Sequence, residues 1–166
     1  LFHFALAFGS KSELSRMFSS GVGAIGQQFG ADPLGWIGGG VAIYADRDAF
    51  WDELRNAKDH WDFMGDHAYR LPLALHVEVK DPLKLAGFLT ALRALADGSA
   101  PGLTKWETKT WHEQGYVKIA PAETGDEARD KMAVYYAALP DAFVLSLRED
   151  LLQRAIDRRI GPPGSW

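Results

Sequence analysis

Residues 73–80 alternate without a break: Leu73, Leu75, Val77 and Val79 fall on one side, and Ala74, His76, Glu78 and Lys80 on the other. A period of two with one polar side marks a strand that buries one face and wets the other, the habit of antiparallel sheets. Strands of doubly wound parallel sheets are apolar on both sides. The pattern then switches. Asp81 supplies an N-cap and Pro82 a fixed φ for the first helical position, and Leu85, Phe88, Leu89, Leu92, Leu95 and Ala96 recur at helical spacing up to Gly98. Beyond that helix, residues 104–112, 116–120, 132–139 and 142–147 are β-rich runs separated by Gly, Pro and Asp, which predicts an antiparallel meander. Ser146 and Glu149 have capping-box spacing ahead of a last helix carrying Leu151, Leu152, Ala155, Ile156 and Ile160.

The first part of the chain reads the same way. Residues 2–8 form a short apolar strand, and Ser10 with Glu13 makes a capping box for a helix over residues 10–27. A turn at residues 31–35 leads into a strand over residues 36–45. Asp46 or Asp48 then caps a helix with Phe50, Trp51 and Leu54 on its inner face. Residues 59–70 are polar, aromatic and aperiodic, which predicts a connecting loop. The two parts share an order of strand, capped helix, strand and helix. Val41 stands over Phe143 at an offset of 102, and Ser10 over Asp81 at an offset of 71. A duplicated unit, over residues 1–58 and 71–160, with an insertion in the second copy would give this pattern. The expected class is α+β, an antiparallel or mixed sheet with helices packed on one face, in one domain over residues 1–160.

Composition excludes more than it assigns. The 166 residues include no Cys, so there is no disulfide framework, thiolate metal ligand or thiol nucleophile, and the redox compartment stays open. Eighteen basic against 22 acidic side chains leave a net charge of −4, with no basic field for nucleic acid or anionic lipid. No stretch reaches the roughly 18 apolar residues that a spanning helix needs. Leu1 in place of Met, and the tail at residues 161–166 with two Pro and two Gly, make a trimmed piece of a longer protein the expectation, with that tail a linker.

Few motifs carry chemistry. Gly21, Gly23 and Gly26 match the spacing of a dinucleotide fingerprint, and Asp46 follows at the distance of a ribose-binding acid, but residues 16–20 read as helix where a strand is required. Gly38-Gly39-Gly40 lacks the Lys and Ser or Thr of a phosphate loop and is read as a turn or bulge. Residues 59–67 gather three carboxylates and two imidazoles, and His60, Asp62, Asp66 and His67 are the candidate ligands for a divalent metal in a hydrolase. The structural alternative has Trp61, Phe63 and Met64 docking on the core. No other cofactor is implied. His76 and His112 are candidate bases without a placed third group, and Ser146 lacks the flanking glycines of a nucleophile elbow. Trp106 and Trp111 lie five apart on one strand, hence on opposite faces, and with Tyr116 they are the candidates for a carbohydrate or peptide surface. Arg154, Asp157, Arg158 and Arg159 read as the wet face and C-terminal charge complement of the last helix.

The run Leu75-His76-Val77-Glu78-Val79-Lys80-Asp81-Pro82 resembles a family of large exported bacterial proteins described as domains of unknown function. So do Gly115-Tyr116-Val117-Lys118-Ile119 and the passage from Asp141-Ala142-Phe143-Val144-Leu145-Ser146 into Leu151-Leu152-Gln153-Arg154-Ala155-Ile156-Asp157. Residues 36–45 are similar to that family's tryptophan, glycine and strand element. The resemblance implies a periplasmic or envelope setting and supplies no catalytic residues. The expected function is a non-catalytic binding or structural module whose partner is another protein or the rest of a larger chain.

Overall fold

The computed structural model describes residues 2–7, 32–122 and 125–160. The helix expected over residues 10–27, the glycine motif within it and the tail at residues 161–166 lie outside the described residues. Among the described residues seven strands form one antiparallel sheet: β1 (Phe2–Ala7), β2 (Ile37–Ala45), β3 (Leu73–Val79), β4 (Thr104–Trp111), β5 (Gln114–Pro121), β6 (Val134–Ala138) and β7 (Ala142–Ser146), in the order β1-β2-β3-β7-β6-β5-β4. Helices α1 (Phe50–Asn56), α2 (His60–His67), α3 (Pro82–Ser99), α4 (Glu127–Asp130) and α5 (Glu149–Ile160) join or follow them. This is the α+β class expected, with the meander of β4 to β7 in place. No described helix is long and apolar enough to cross a membrane.

The strand-to-helix switch after β3 is realised as read. The Asp81 carboxylate accepts from the Lys84 N–H at 3.0 Å, and Pro82 occupies the first turn. Helix α3 carries the chain from β3 in the middle of the sheet to β4 at its edge, and the meander returns to set β7 beside β3. The glycines of β2 sit at a register shift between Ile37 and Val41, a bulge as expected. A Cβ on Gly38 would lie 2.8 Å from Cγ of Glu78, so a larger residue there would force the Glu78 side chain of β3 to move.

Helices occupy both faces of the central strands, where one covered face was expected. Phe143 and Leu145 of β7 pack with Trp36, Val77, Val79, Leu85, Phe88 and Leu89 under α3. Ala142 and Val144, on the opposite side of the same strand, pack with Tyr116, Ala137, Leu139, Leu152 and Ile156 under α5. The physical reason lies in β7: its five residues are apolar on both sides but for Ser146, so one layer of helix could not dry it. Ser146 is itself buried, its hydroxyl donating to the Leu73 carbonyl at 2.8 Å and accepting from the Arg148 N–H at 3.1 Å. Glu149 turns away from it, so the reciprocal half of the expected capping box is replaced.

The two parts of the chain share a pairing register. Moving Phe2 by 71 and Ala45 by 102 carries their β1–β2 pair to Leu73 and Leu147, on the same ladder as the observed Ala74↔Ser146 pair. Phe50 and Leu152, also 102 apart, both have 0% exposure.

The loop expected over residues 59–70 is instead α2 and a 3₁₀ turn, Ala68–Arg70. Asp59 starts the helix by accepting from the N–H groups of Trp61 at 2.8 Å and Asp62 at 3.1 Å. Only a narrow side packs, with Phe63 5.5 Å from Phe50 of α1, so the apolar period is too short to read in sequence. Trp61, expected on the core together with Phe63 and Met64, is 87% exposed.

Candidate functional site

Helical geometry divides the metal candidates into two pairs. His60 and His67 lie seven residues apart, two turns along one side, and Asp62 and Asp66 lie one turn apart on another. His67 is further committed, its Nδ1 at 3.0 Å from the Phe63 carbonyl oxygen and its ring stacked on Phe63 at 4.4 Å. The described residues contain no group of three or more His, Asp or Glu side chains arranged to hold a metal ion. Because ligands to one ion must converge within about 2.0–2.6 Å of it, replacing His60 and Asp62 together by Ala is expected to leave the response of the melting temperature to EDTA unchanged. An EDTA-dependent fall in the wild type that the double variant loses would show that these side chains converge in solution.

The aromatic candidates separate as the period of two requires. Trp106 lies on the α3 side, its indole N–H donating to the Thr104 hydroxyl at 3.1 Å and its ring under the Arg93 guanidinium at 5.5 Å. Trp111 and Tyr116 lie on the α5 side. The Trp111 N–H donates to Asp157 at 2.7 Å, and Tyr116 is buried with its hydroxyl donating to Glu149 at 2.6 Å. These rings present no common platform. His112 sits in the positive-φ turn between β4 and β5, 3.4 Å from Asp157, and His76 is half-buried against Tyr44, its pKa lowered by burial and then by Arg159.

Sequence reasoning missed the polar cluster at the start of α5. An open cleft of about 420 Å³ is lined there by Tyr69, Lys131, Tyr135, Leu147, Arg148, Glu149, Asp150 and Gln153. Lys109 of β4 donates to Glu149 at 2.5 Å, beside the Tyr116 hydroxyl. Arg148 bridges Asp48 at 2.5 Å and Asp150 at 2.8 Å, and Arg154 joins Asp46 to Asp150, so the start of α5 is tied to the end of β2. Residues 109 and 149 are 40 apart and residues 48 and 148 are 100 apart. No local spacing signals such pairs.

The electrostatics hold these groups in their resting forms. Burial works to raise the Glu149 carboxyl, but hydrogen bonds from Lys109 and Tyr116 outweigh it and the net shift is downward. Burial likewise works to raise the Asp150 carboxyl, but hydrogen bonds from Arg148 and Arg154 outweigh it and the net shift is again downward. Asp48 is lowered by the Phe50 N–H and then by Arg148. The hydrogen bond to Glu149 raises Lys109, and burial followed by Glu149 raises Tyr116. Each group is moved away from neutrality, whereas proton transfer in catalysis favours a pKa near the working pH.

Fold and site together define a small antiparallel α+β domain that carries an ion-paired cleft on one side and a largely solvent-facing helix, α2, between β2 and β3. The chain matches no family model, no curated protein and no solved structure.

Proposed function

We propose that this chain is a non-catalytic binding module of a larger exported, envelope-associated bacterial protein, and that it meets a partner protein through the outer side of α2. The observation that carries this reading is Trp61, a large apolar side chain 87% exposed on a helix whose other side is already packed. An indole in water forgoes a large burial energy, and tryptophan is among the residue types enriched at the hot spots of protein interfaces. Gly65 adds to it. It stands one turn from Trp61 in the interior of α2, and a Cβ there would meet nothing within 4 Å, so no packing explains a residue that costs a helix about 1 kcal/mol relative to Ala. The bare backbone beside the indole leaves a ledge for a partner's side chain. The resting protonation states of the α5 cluster support a binding role over a catalytic one, and the resemblance in residues 75–82, 115–119 and 141–157 supports the exported setting.

The test is a photoreactive amino acid at position 61, with the same residue at exposed Thr90 of α3 as control, expressed in the source cells. A discrete protein adduct at position 61, absent at position 90 and recovered in the envelope fraction, is the expected result. No adduct at 61, or the same adducts at both positions, would overturn the docking reading, and a discrete adduct confined to the cytosolic fraction would overturn the exported setting.

A further inference from the structure

Strand β4 is one edge of the sheet, paired through all eight residues with β5 on its inner side and with nothing on its outer side among the described residues. Long, straight edge strands are templates for another strand, and proteins guard them with Pro, bulges or unmatched charge. β4 has neither Pro nor bulge, and its charges are not of one sign: Lys105, Glu107 and Lys109 alternate with Thr104, Trp106, Thr108 and Thr110. That arrangement fits a copy of itself.

The hairpin fixes which residues point outward. Trp111 and Gln114 flank the two-residue turn His112-Glu113, whose φ values are 46° and 66°, and the pair closing such a turn is hydrogen-bonded. Lys109, Glu107 and Lys105 therefore direct their backbone groups to β5, and Thr110, Thr108, Trp106 and Thr104 direct theirs to the open edge. Antiparallel pairing of two copies about a two-fold axis must then place an outward residue on the axis or opposite another outward residue.

We infer that two copies of this chain pair edge to edge through β4, antiparallel, with the two-fold axis at Thr108, joining their sheets into one. In that register Thr108 meets its own copy and Trp106 meets Thr110 of the second copy, all with outward backbone groups. On the α5 side Glu107 faces Lys109 and Lys105 faces Trp111, so every charged side chain of β4 meets an opposite charge or an indole. An axis one residue away, at Glu107, sets Glu107 against itself and Lys105 against Lys109, which cross-strand repulsion disfavours. Lys109 already holds Glu149 at 2.5 Å, and Glu107 lies 4.0 Å from Lys118 of β5, so the added pairs extend an alternating row of charge. This pairing uses a different surface from α2 and stands or falls independently of the docking reading above.

The absence of Cys makes the test clean. Residues in a hydrogen-bonded antiparallel pair have Cα atoms about 5.5 Å apart, within the range of a disulfide. Thr108→Cys is expected to give a reducible covalent dimer on mild oxidation. In Thr110→Cys the two thiols would stand about 13 Å apart along the strands, and no such product is expected. Light scattering should show wild-type dimer and a monomeric Thr108→Pro variant with unchanged circular dichroism, since the Thr108 N–H is not used by β5. Equal cross-linking at 108 and 110, or a wild-type protein monomeric up to its solubility limit, would overturn the inference.

Discussion

Leu152→Ala is expected to lower the free energy of unfolding by about 3 kcal/mol, and Leu85→Ala by a similar amount, as measured by urea denaturation. Both side chains are buried, at 0% and 1% exposure, but they lie on opposite faces of the sheet, Leu152 against Val144 under α5 and Leu85 against Phe143 under α3. Truncating either removes a branched side chain from a packed interior and leaves a void that the stiff strand β7 cannot collapse to fill. The pair of values measures the two-faced architecture. Should Leu85→Ala cost less than about 1 kcal/mol, within the range of ordinary surface substitutions and small adjustments, the α3 side would be a cover and not a core.

Arg148→Ala is expected to cost about 1 kcal/mol at pH 7, because it strips a charged hydrogen bond from the part-buried Asp48 carboxylate and a more weakly contributing, solvent-screened one from exposed Asp150. Asp48 and Asp150 face Arg148 at 2.5 and 2.8 Å, and after its loss Asp48 keeps the Phe50 N–H and Asp150 keeps Arg154. Both carboxyls have folded-state pKa values below their ordinary ones. A depressed pKa gives stability that is present above the unfolded value, near 4, and lost as pH falls through the folded value. The gap between wild type and Arg148→Ala should therefore be widest above about pH 5 and narrow toward about pH 2. Denaturation curves at several pH values check this, and a gap constant with pH would mean that Arg148 acts through packing alone. Arg148→Lys should recover only part of the loss, since an ammonium cannot fork between two carboxylates.

How far the fold could be read in advance followed from how local its causes are. β3 and α3 were legible because alternation, the Asp81-Pro82 start and a long apolar stripe each act within a few residues. The β4–β5 hairpin was legible because Glu113 lies in a short break between β-rich runs. Helix α2 was not, because its stability comes from the Asp59 cap and from one narrow contact with Phe50, and eight residues carry too short an apolar period. The metal candidates in it were grouped by closeness in sequence, and a helix turns such neighbours onto different sides. Trp61 was expected inside on its apolarity alone, and its exposure is a property of where α2 lies.

The α5 cluster shows the same division. Glu149 could be read locally as a capping residue, and its partners Lys109 and Tyr116 only become neighbours once β4, β5 and α5 are stacked. Local periodicity, capping and turn chemistry determined β3, the α3 start, the β4–β5 hairpin, the antiparallel class and the bulge in the Gly38–Gly40 run, since each depends on backbone geometry within a few residues. Which face each helix covers, which charges meet across 40 to 100 residues, and which side chains stay in water were decided by tertiary packing. Burial and electrostatic pairing depend on distance in space, and only the closed sheet sets that distance.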